Sequence, residues 1–253
     1  MRLAGRVALV TGSSRGIGAA IARRLAADGA RLVLHARSDP AKANAVAEAI
    51  RAGGGTADVV LGDLTTRDAP TRVVRDGFAI HGALDILVCN AGGGGGGKLV
   101  ELDADKIDNA IALNMRATML ATAEFARLTQ SPHGRVVYIS SGMGVHPAYG
   151  VALAAASKAG SESFIRSAAQ ELGERGITLN SVAPGTTETD MIEGLAWTAK
   201  VPGWTALRRL GRPEDIADVV AFVASDDARW LTGLTIAANG GLVTAAANVI
   251  AYA

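Results

Sequence analysis

The chain has 253 residues, 49% of them apolar, and 25 Lys/Arg set against 24 Asp/Glu give it a net charge of +1. This is enough to bury a substantial core as one domain, and balanced charge with no Lys/Arg run argues against nucleic-acid and membrane partners. The single cysteine, Cys89, excludes an intrachain disulfide and lies in an apolar run, where a small buried side chain is the ordinary role and metal ligation is not expected.

Met1 to Gly5 pass at once into the strand-like run Val7–Val10, which leaves no room for a signal peptide. No uninterrupted apolar stretch is long enough to span a bilayer, so a soluble cytoplasmic protein is expected. Further candidate strands are Arg31–His35, Asp58–Leu61, Leu84–Cys89, Arg135–Ile139, Ile177–Val182 and Leu234–Ala237, separated by longer helical patterns. Strands alternating with helices predict a doubly wound α/β fold, a parallel sheet covered on both faces. Between the first two strands, Ile17, Ile21 and Leu25 recur at a four-residue spacing and Gly29 ends the helix. Gly53-Gly54-Gly55 marks a turn before the third strand. The Gly92–Gly97 run follows a strand directly and reads as an active-site loop, because glycine lets the backbone approach a ligand closely. No repeat or linker divides residues 1–253, so one domain is expected.

The first strand runs into Thr11-Gly12-Ser13-Ser14-Arg15-Gly16-Ile17-Gly18, and the helix begins there. Glycines at this place permit a tight turn and close approach of a pyrophosphate to the helix N-terminus, whose free N–H groups favour an anion. Turns also use glycine, but a triplet set between a strand and an amphipathic helix points to a dinucleotide.

The spacing GxxxGxG, with Cys89-Asn90-Ala91-Gly92, Asn114, Ser141, Ser157-Lys158 and Pro184-Gly185, resembles the short-chain dehydrogenase/reductase family from about Gly5 to Gly241. Gly211-Arg212-Pro213-Glu214-Asp215-Ile216 and Asn239-Gly240-Gly241 are most similar to its 3-oxoacyl carrier-protein reductases. The resemblance implies a seven-stranded parallel sheet and a homotetramer, one interface being built from the helices that carry Asn114 and Lys158. It also implies a nicotinamide dinucleotide held by Gly12, Ser14, Arg15, Gly16, Ile17 and Gly18. Asp63 and Leu64 are implied at the adenine, Asn90, Ala91 and Gly92 along the ribose, and Pro184, Gly185, Thr187 and Thr189 at the carboxamide and phosphate end.

Charge selects the cofactor. Members that use NAD end the second strand in a carboxylate that bonds the ribose hydroxyls; here Ala36 and Arg37 follow His35. Arg15 and Arg37 match the two basic positions of NADP-preferring members and suit a 2′-phosphate, so NADP(H) is expected. The alternative is that both are solvated surface charges.

Reducing a carbonyl needs a hydride and a positioned proton donor. In the family a tyrosine donates the proton, a lysine four residues later tunes it and binds ribose, a serine thirteen residues before it polarises the carbonyl, and an asparagine holds a water linking the lysine to solvent. Lys158, Ser141 and Asn114 match, but Ala154 stands at the tyrosine position with both spacings kept. Retention of all the other motif residues fits a deliberate single substitution better than natural drift. Tyr149 and His146 lie nearby as minor candidates for a substitute acid, and each has a blander role as a pocket or packing residue.

Residues of about 188–207, with Trp197 and Trp204, match the family's mobile lid over the substrate; the tryptophans either wall an acyl chain or ring or pack the lid on the body. The apolar tail Leu242–Ala253 is expected at a subunit interface. Three functions remain open: an NADP(H)-dependent oxidoreductase interconverting a small-molecule ketone and secondary alcohol, in a form lacking its acid; a cofactor-binding module without redox chemistry; and a lyase or isomerase using Ser141 and Lys158.

Overall fold

In a computed structural model, residues 1–142 and 149–242 are described. Seven short, largely apolar strands form the sheet: β1 Val7–Val10, β2 Arg31–Ala36, β3 Thr56–Leu61, β4 Ile86–Cys89, β5 Arg135–Ile139, β6 Thr178–Pro184 and β7 Thr235–Ala238. All pair in parallel in the order β3-β2-β1-β4-β5-β6-β7. Chain progression reverses direction between β1 and β4, and their carboxyl ends open the crevice where such sheets bind ligands.

The crossovers carry α1 Gly16–Ala27, α2 Ala41–Ala52, α3 Ala69–His81, α4 Ala104–Ile111, α5 Ala117–Leu128, α6 Ala152–Leu172, the short α7 Val201–Trp204 and α8 Pro213–Val223. A π-helical turn, Ala112–Arg116, joins α4 to α5 and carries Asn114. Single π turns of this kind often sit at functional sites. The anticipated helix after β1 is present: Ile21 and Leu25 are fully buried, and Gly29 leaves it at φ +99° with its N–H on the Ala26 carbonyl.

The five inner strands are almost wholly buried, as parallel strands are when helices cover each face, while the edge strands β3 and β7 are partly exposed. Val10, Leu32 and Leu34 pack with Ile21, Leu25, Ile50 and Val220 on one face. Leu9, Val33 and Tyr138 pack with Val73, Phe125 and Ile165 on the other. Each fully buried leucine or valine stabilises the fold by about 1.5–3 kcal/mol. Cys89 is buried and unbridged, and burial pushes its thiol up to about 12, which suits a core residue.

β1 and β5 keep the expected boundaries, and the other strands differ from the sequence expectation by one or two residues. β3 begins at Thr56, because Thr56 and Ala57 pair with Arg31 and Leu32. β4 begins at Ile86, just after Asp85, whose carboxylate accepts the Val7 N–H at 2.8 Å and whose own N–H donates to the Val7 carbonyl at 2.9 Å. No described helix is long and apolar enough to cross a membrane, and the described residues hold no His/Cys/Asp/Glu group suited to a metal ion. The tail residues 243–253 and His146 lie outside the described residues.

Candidate active site

The glycine turn after β1 and the segment after β4 are laced together across the crevice. Thr11 Oγ1 accepts the N–H groups of Asn90 at 2.9 Å and Ala91 at 3.0 Å. The Asn90 amide donates to the carbonyls of Thr11 at 2.9 Å and Gly12 at 3.1 Å. Space dictates glycine here. Gly12 has φ +64°, and a Cβ on it would lie 3.0 Å from Ala91 Cα; a Cβ on Gly18 would collide with the Asn90 amide and the Gly12 carbonyl. A Cβ on Gly16, also at positive φ, would meet Thr189 Cγ2 at 3.3 Å, so Thr189 sits over the glycine turn. Arg15 takes the N-cap place of α1 without a side-chain cap, and the first-turn N–H groups at residues 16–18 can therefore take an anion. This bare cradle fits a pyrophosphate.

Arg15 and Arg37 are both exposed at this end. Arg15 pairs with Asp190 at 3.5 Å across half-exposed side chains, a weak contact that an incoming phosphate can replace. Thr65 donates its hydroxyl and amide to Asp63, which together with the Arg37 charge hold that carboxyl below its usual range. Leu64 turns its side chain into the core cluster that contains Val73 and Val74. Ser14 is half-buried in the turn.

The other end of the crevice gathers Asn114, Lys158, Gly92 and Ala154. Asn114 Oδ1 accepts the Gly93 N–H at 3.0 Å, and its amide donates to the Gly93 carbonyl at 3.1 Å and to Ser157 Oγ at 3.2 Å. Ser157 in turn donates to the Ala154 carbonyl at 2.9 Å. The π turn thus fixes the Gly92–Gly97 loop and the start of α6 together. A Cβ on Gly92 would stand 3.0 Å from both Asn114 Oδ1 and Lys158 Nζ, so the loop passes against the lysine only as glycine. Lys158 Nζ donates to the Ile139 carbonyl at 2.8 Å, and desolvation pulls its pKa down to about 8, with Glu162 opposing. The Ala154 N–H donates to the Gly95 carbonyl at 3.1 Å. Ser141 follows β5 at the same strand end and is half-buried.

Tyr149 is 87% exposed, which removes a packing role for it within the chain. Pro184 closes β6, and the buried Thr187 donates to the Gly185 carbonyl at 3.0 Å. A Cβ on Gly185 would come within 2.9 Å of Asn239 Cα. Trp197 is 42% exposed and Trp204 is half-buried.

Sequence reasoning missed two residues. His35 accepts the Gly12 N–H on Nδ1 at 3.0 Å. Glu162 is buried one turn beyond Lys158, where it accepts from Ser140 Oγ and, at 3.3 Å, from Thr235 Oγ1. A histidine in a strand and a glutamate on a helix carry no local mark of such roles.

The family described as enoyl-(acyl carrier protein) reductase matches residues 12–243. A short-chain dehydrogenase/reductase, FrzI, of a Cladobotryum species is 40% identical over 251 residues, spanning 94% of this chain and 96% of that protein. The 3-oxoacyl-[acyl-carrier-protein] reductase FabG of Escherichia coli K12 is 38% identical, spanning 96% of this chain and 99% of its own. Among solved structures, a short-chain dehydrogenase from Burkholderia cenocepacia in complex with NADP superposes with a TM-score of 0.91 at 39% identity, covering 95% of this chain and 99% of that one. A metagenomic blue fluorescent protein in complex with NADPH gives 0.90 at 36%, with the same coverage. Fold, crevice and these likenesses agree: the chain belongs to the short-chain dehydrogenase/reductase family.

Proposed function

We propose that this chain is an NADP(H)-dependent oxidoreductase site for interconverting a ketone and a secondary alcohol, in which Ala154 has replaced the proton donor. The observation that carries the reading is the convergence of Lys158, Asn114 and Gly92 beside Ala154, at the end of the crevice opposite Arg15 and Arg37. Gly12, Gly16 and Gly18 form the cradle for the pyrophosphate, Arg15 and Arg37 supply charge for the 2′-phosphate, and Asn90 to Gly92 line the way to the ribose. Pro184, Gly185, Thr187 and Thr189 flank the nicotinamide end, and residues of about 188–207 serve as the lid. The Burkholderia and metagenomic relatives, described with NADP and NADPH, support the cofactor.

When bound, the nicotinamide supplies hydride to a carbonyl carbon. Ser141, just after β5, polarises the carbonyl oxygen, and Lys158 binds ribose and places positive charge beside the position that the missing acid would occupy. Asn114 fixes the loop and the helix start through Gly93 and Ser157. Retention of these residues around Ala154 supports one replacement in an otherwise functional site, introduced deliberately, over gradual decay. Ala154 itself favours a second reading, a protein that binds the cofactor without turnover. Two measurements test the pair: titration with NADPH and NADH, and ketone reduction before and after Ala154→Tyr. Tight NADPH binding with activity only in the variant supports the first reading; tight binding with activity in neither supports the second.

A further inference from the structure

His35 lies near the end of β2, 3% exposed, with both ring nitrogens committed. Nε2 is 2.9 Å from the Gly62 carbonyl and must carry the proton there, so Nδ1 is left as the acceptor of the Gly12 N–H at 3.0 Å. Its backbone N–H donates to Ser13 Oγ at 2.9 Å, and its carbonyl accepts the Ser13 N–H at 3.1 Å. One residue thus ties the glycine turn, through three bonds, to the segment after β3 that carries Asp63.

We propose that His35 is a positioning residue: its neutral Nε2–H form holds Gly12 and Ser13 in the shape that takes a dinucleotide, and its protonation releases that shape and lowers cofactor affinity. This rests on the reading of the glycine turn as the cofactor site. An imidazolium has only donors, so the Gly12 N–H would then face another N–H and lose its partner. Gly12, at φ +64°, has no side chain to restrain it and stands hard against Ala91, so its placement depends on such external bonds.

The charged groups facing the ring are Asp63, beyond β3, and Arg37, which follows β2 and acts on Asp63. Burial lowers the His35 pKa from its ordinary 6.5, while the Gly62 bond and Asp63 oppose that shift. The neutral form therefore persists through neutrality. Affinity is flat above about pH 6.5 and falls as the solution is acidified through the lowered value.

The test compares NADPH binding by the unaltered chain, His35→Asn and His35→Leu from pH 7.5 to 5, with circular dichroism as the control on folding. Asparagine keeps an acceptor near the Nδ1 position but cannot titrate, and both proteins face the same titrating 2′-phosphate. His35→Asn is expected to bind within about threefold of the unaltered chain at pH 7.5 and to lose less affinity than that chain does as the solution is acidified to pH 5. His35→Leu leaves a buried N–H unpaired and is expected to bind about tenfold more weakly at every pH. Parallel pH profiles for the unaltered chain and His35→Asn, with normal binding at pH 7.5, overturn the positioning role alone. No NADPH binding by any form overturns the cofactor reading with it. If the variants do not fold, nitrogen-resolved NMR of the unaltered chain decides. The proposal requires a pyridine-type Nδ1 at pH 7 and a Gly12 amide resonance that moves with the His35 ring titration, and it fails if either is missing.

Discussion

Lys158 Nζ donates a 2.8 Å hydrogen bond to the carbonyl of Ile139 and lies 5.0 Å above the centre of the Tyr138 ring. The ammonium is thereby fixed between α6 and the end of β5, two residues before Ser141, in a place poor in water. Taking an ammonium out of water in this way costs stability.

The first prediction follows from that cost. Lys158 falls from 10.5 to about 8 chiefly by desolvation. Between those values the unfolded chain holds the proton and the folded chain does not, so stability declines as pH drops through the window and stays reduced below it. Lys158→Met keeps the apolar stem and removes the charge. At pH 7 the thermal midpoint is expected to rise by roughly 2–4 °C, while NADPH affinity falls about tenfold through loss of a charge-assisted bond. A lowered midpoint in calorimetry would show that the lysine is a net structural asset.

The second prediction concerns cofactor choice. Ala36 ends β2 without a carboxylate, and the exposed Arg37 beside it is free to meet a 2′-phosphate. Arg37→Asp is expected to weaken NADPH about tenfold or more and to leave NADH within about threefold, because only the former carries the extra charge. Fluorescence titration with both cofactors decides it; equal losses would remove the argument from charge.

Much of this site is local in sequence and was legible there. The glycine turn, the amphipathic run Ile17, Ile21, Leu25 and the spacing from Ser141 through Ala154 to Lys158 are short-range patterns: the turn leads into α1, the run lies in α1, Ala154 and Lys158 lie in α6, and Ser141 follows β5. What escaped depends on partners far along the chain. His35 meets Gly12 and Gly62, each more than twenty residues away, and nothing near it in sequence distinguishes it from a core residue of a strand. Glu162 lies on α6 with Ser140, Thr235 and, at 3.8 Å, Arg166 around it, partners that no short-range pattern brings together. The start of β3 was misjudged for the same reason, since pairing with β2 recruits Thr56 and Ala57 whatever their own preference.

The third prediction addresses a cluster remote from the crevice. Asp226 receives Arg6 at 2.6 Å and Arg135 at 3.2 Å, and both guanidinium groups are nearly buried. The Arg6 bond is the main reason that its carboxyl titrates below the ordinary 3.8. Its contribution is present above that value and is lost as pH falls through the lowered one. Asp226→Asn leaves two neighbouring buried cations without a counter-charge. Breaking a buried pair costs about 3–5 kcal/mol, and the half-exposed Asp226 reduces this to about 2 kcal/mol. Urea unfolding at pH 7 measures it, and the difference between the two proteins is expected to narrow near pH 3. A loss below about 0.5 kcal/mol would mean that solvent already compensates the arginines.

The last prediction is Ala154→Tyr. Ala154 lies in the first turn of α6, and Lys158 follows one turn later on the same face, about 6 Å along the axis. Its N–H is held by the Gly95 carbonyl and its carbonyl by Ser157, so the backbone that would present a phenol is already fixed from both sides. A positioned general acid contributes about two to four orders of magnitude, and ketone reduction with NADPH is expected to rise by that factor. NADPH affinity should change little, because the phenol acts on the alkoxide while Lys158 and the glycine turn hold the cofactor. The nearby ammonium favours the phenolate and brings the acid toward neutral pH. Adding Lys158→Ala to the restored protein should therefore remove most of the gain and shift the remaining pH–rate profile upward, which loss of cofactor binding alone would not do. A panel of ketones assayed with labelled NADPH measures all three quantities. If Ala154→Tyr binds NADPH normally but reduces none of them, while the unaltered chain transforms a substrate without consuming cofactor, the site is that of a lyase or isomerase built on Ser141 and Lys158.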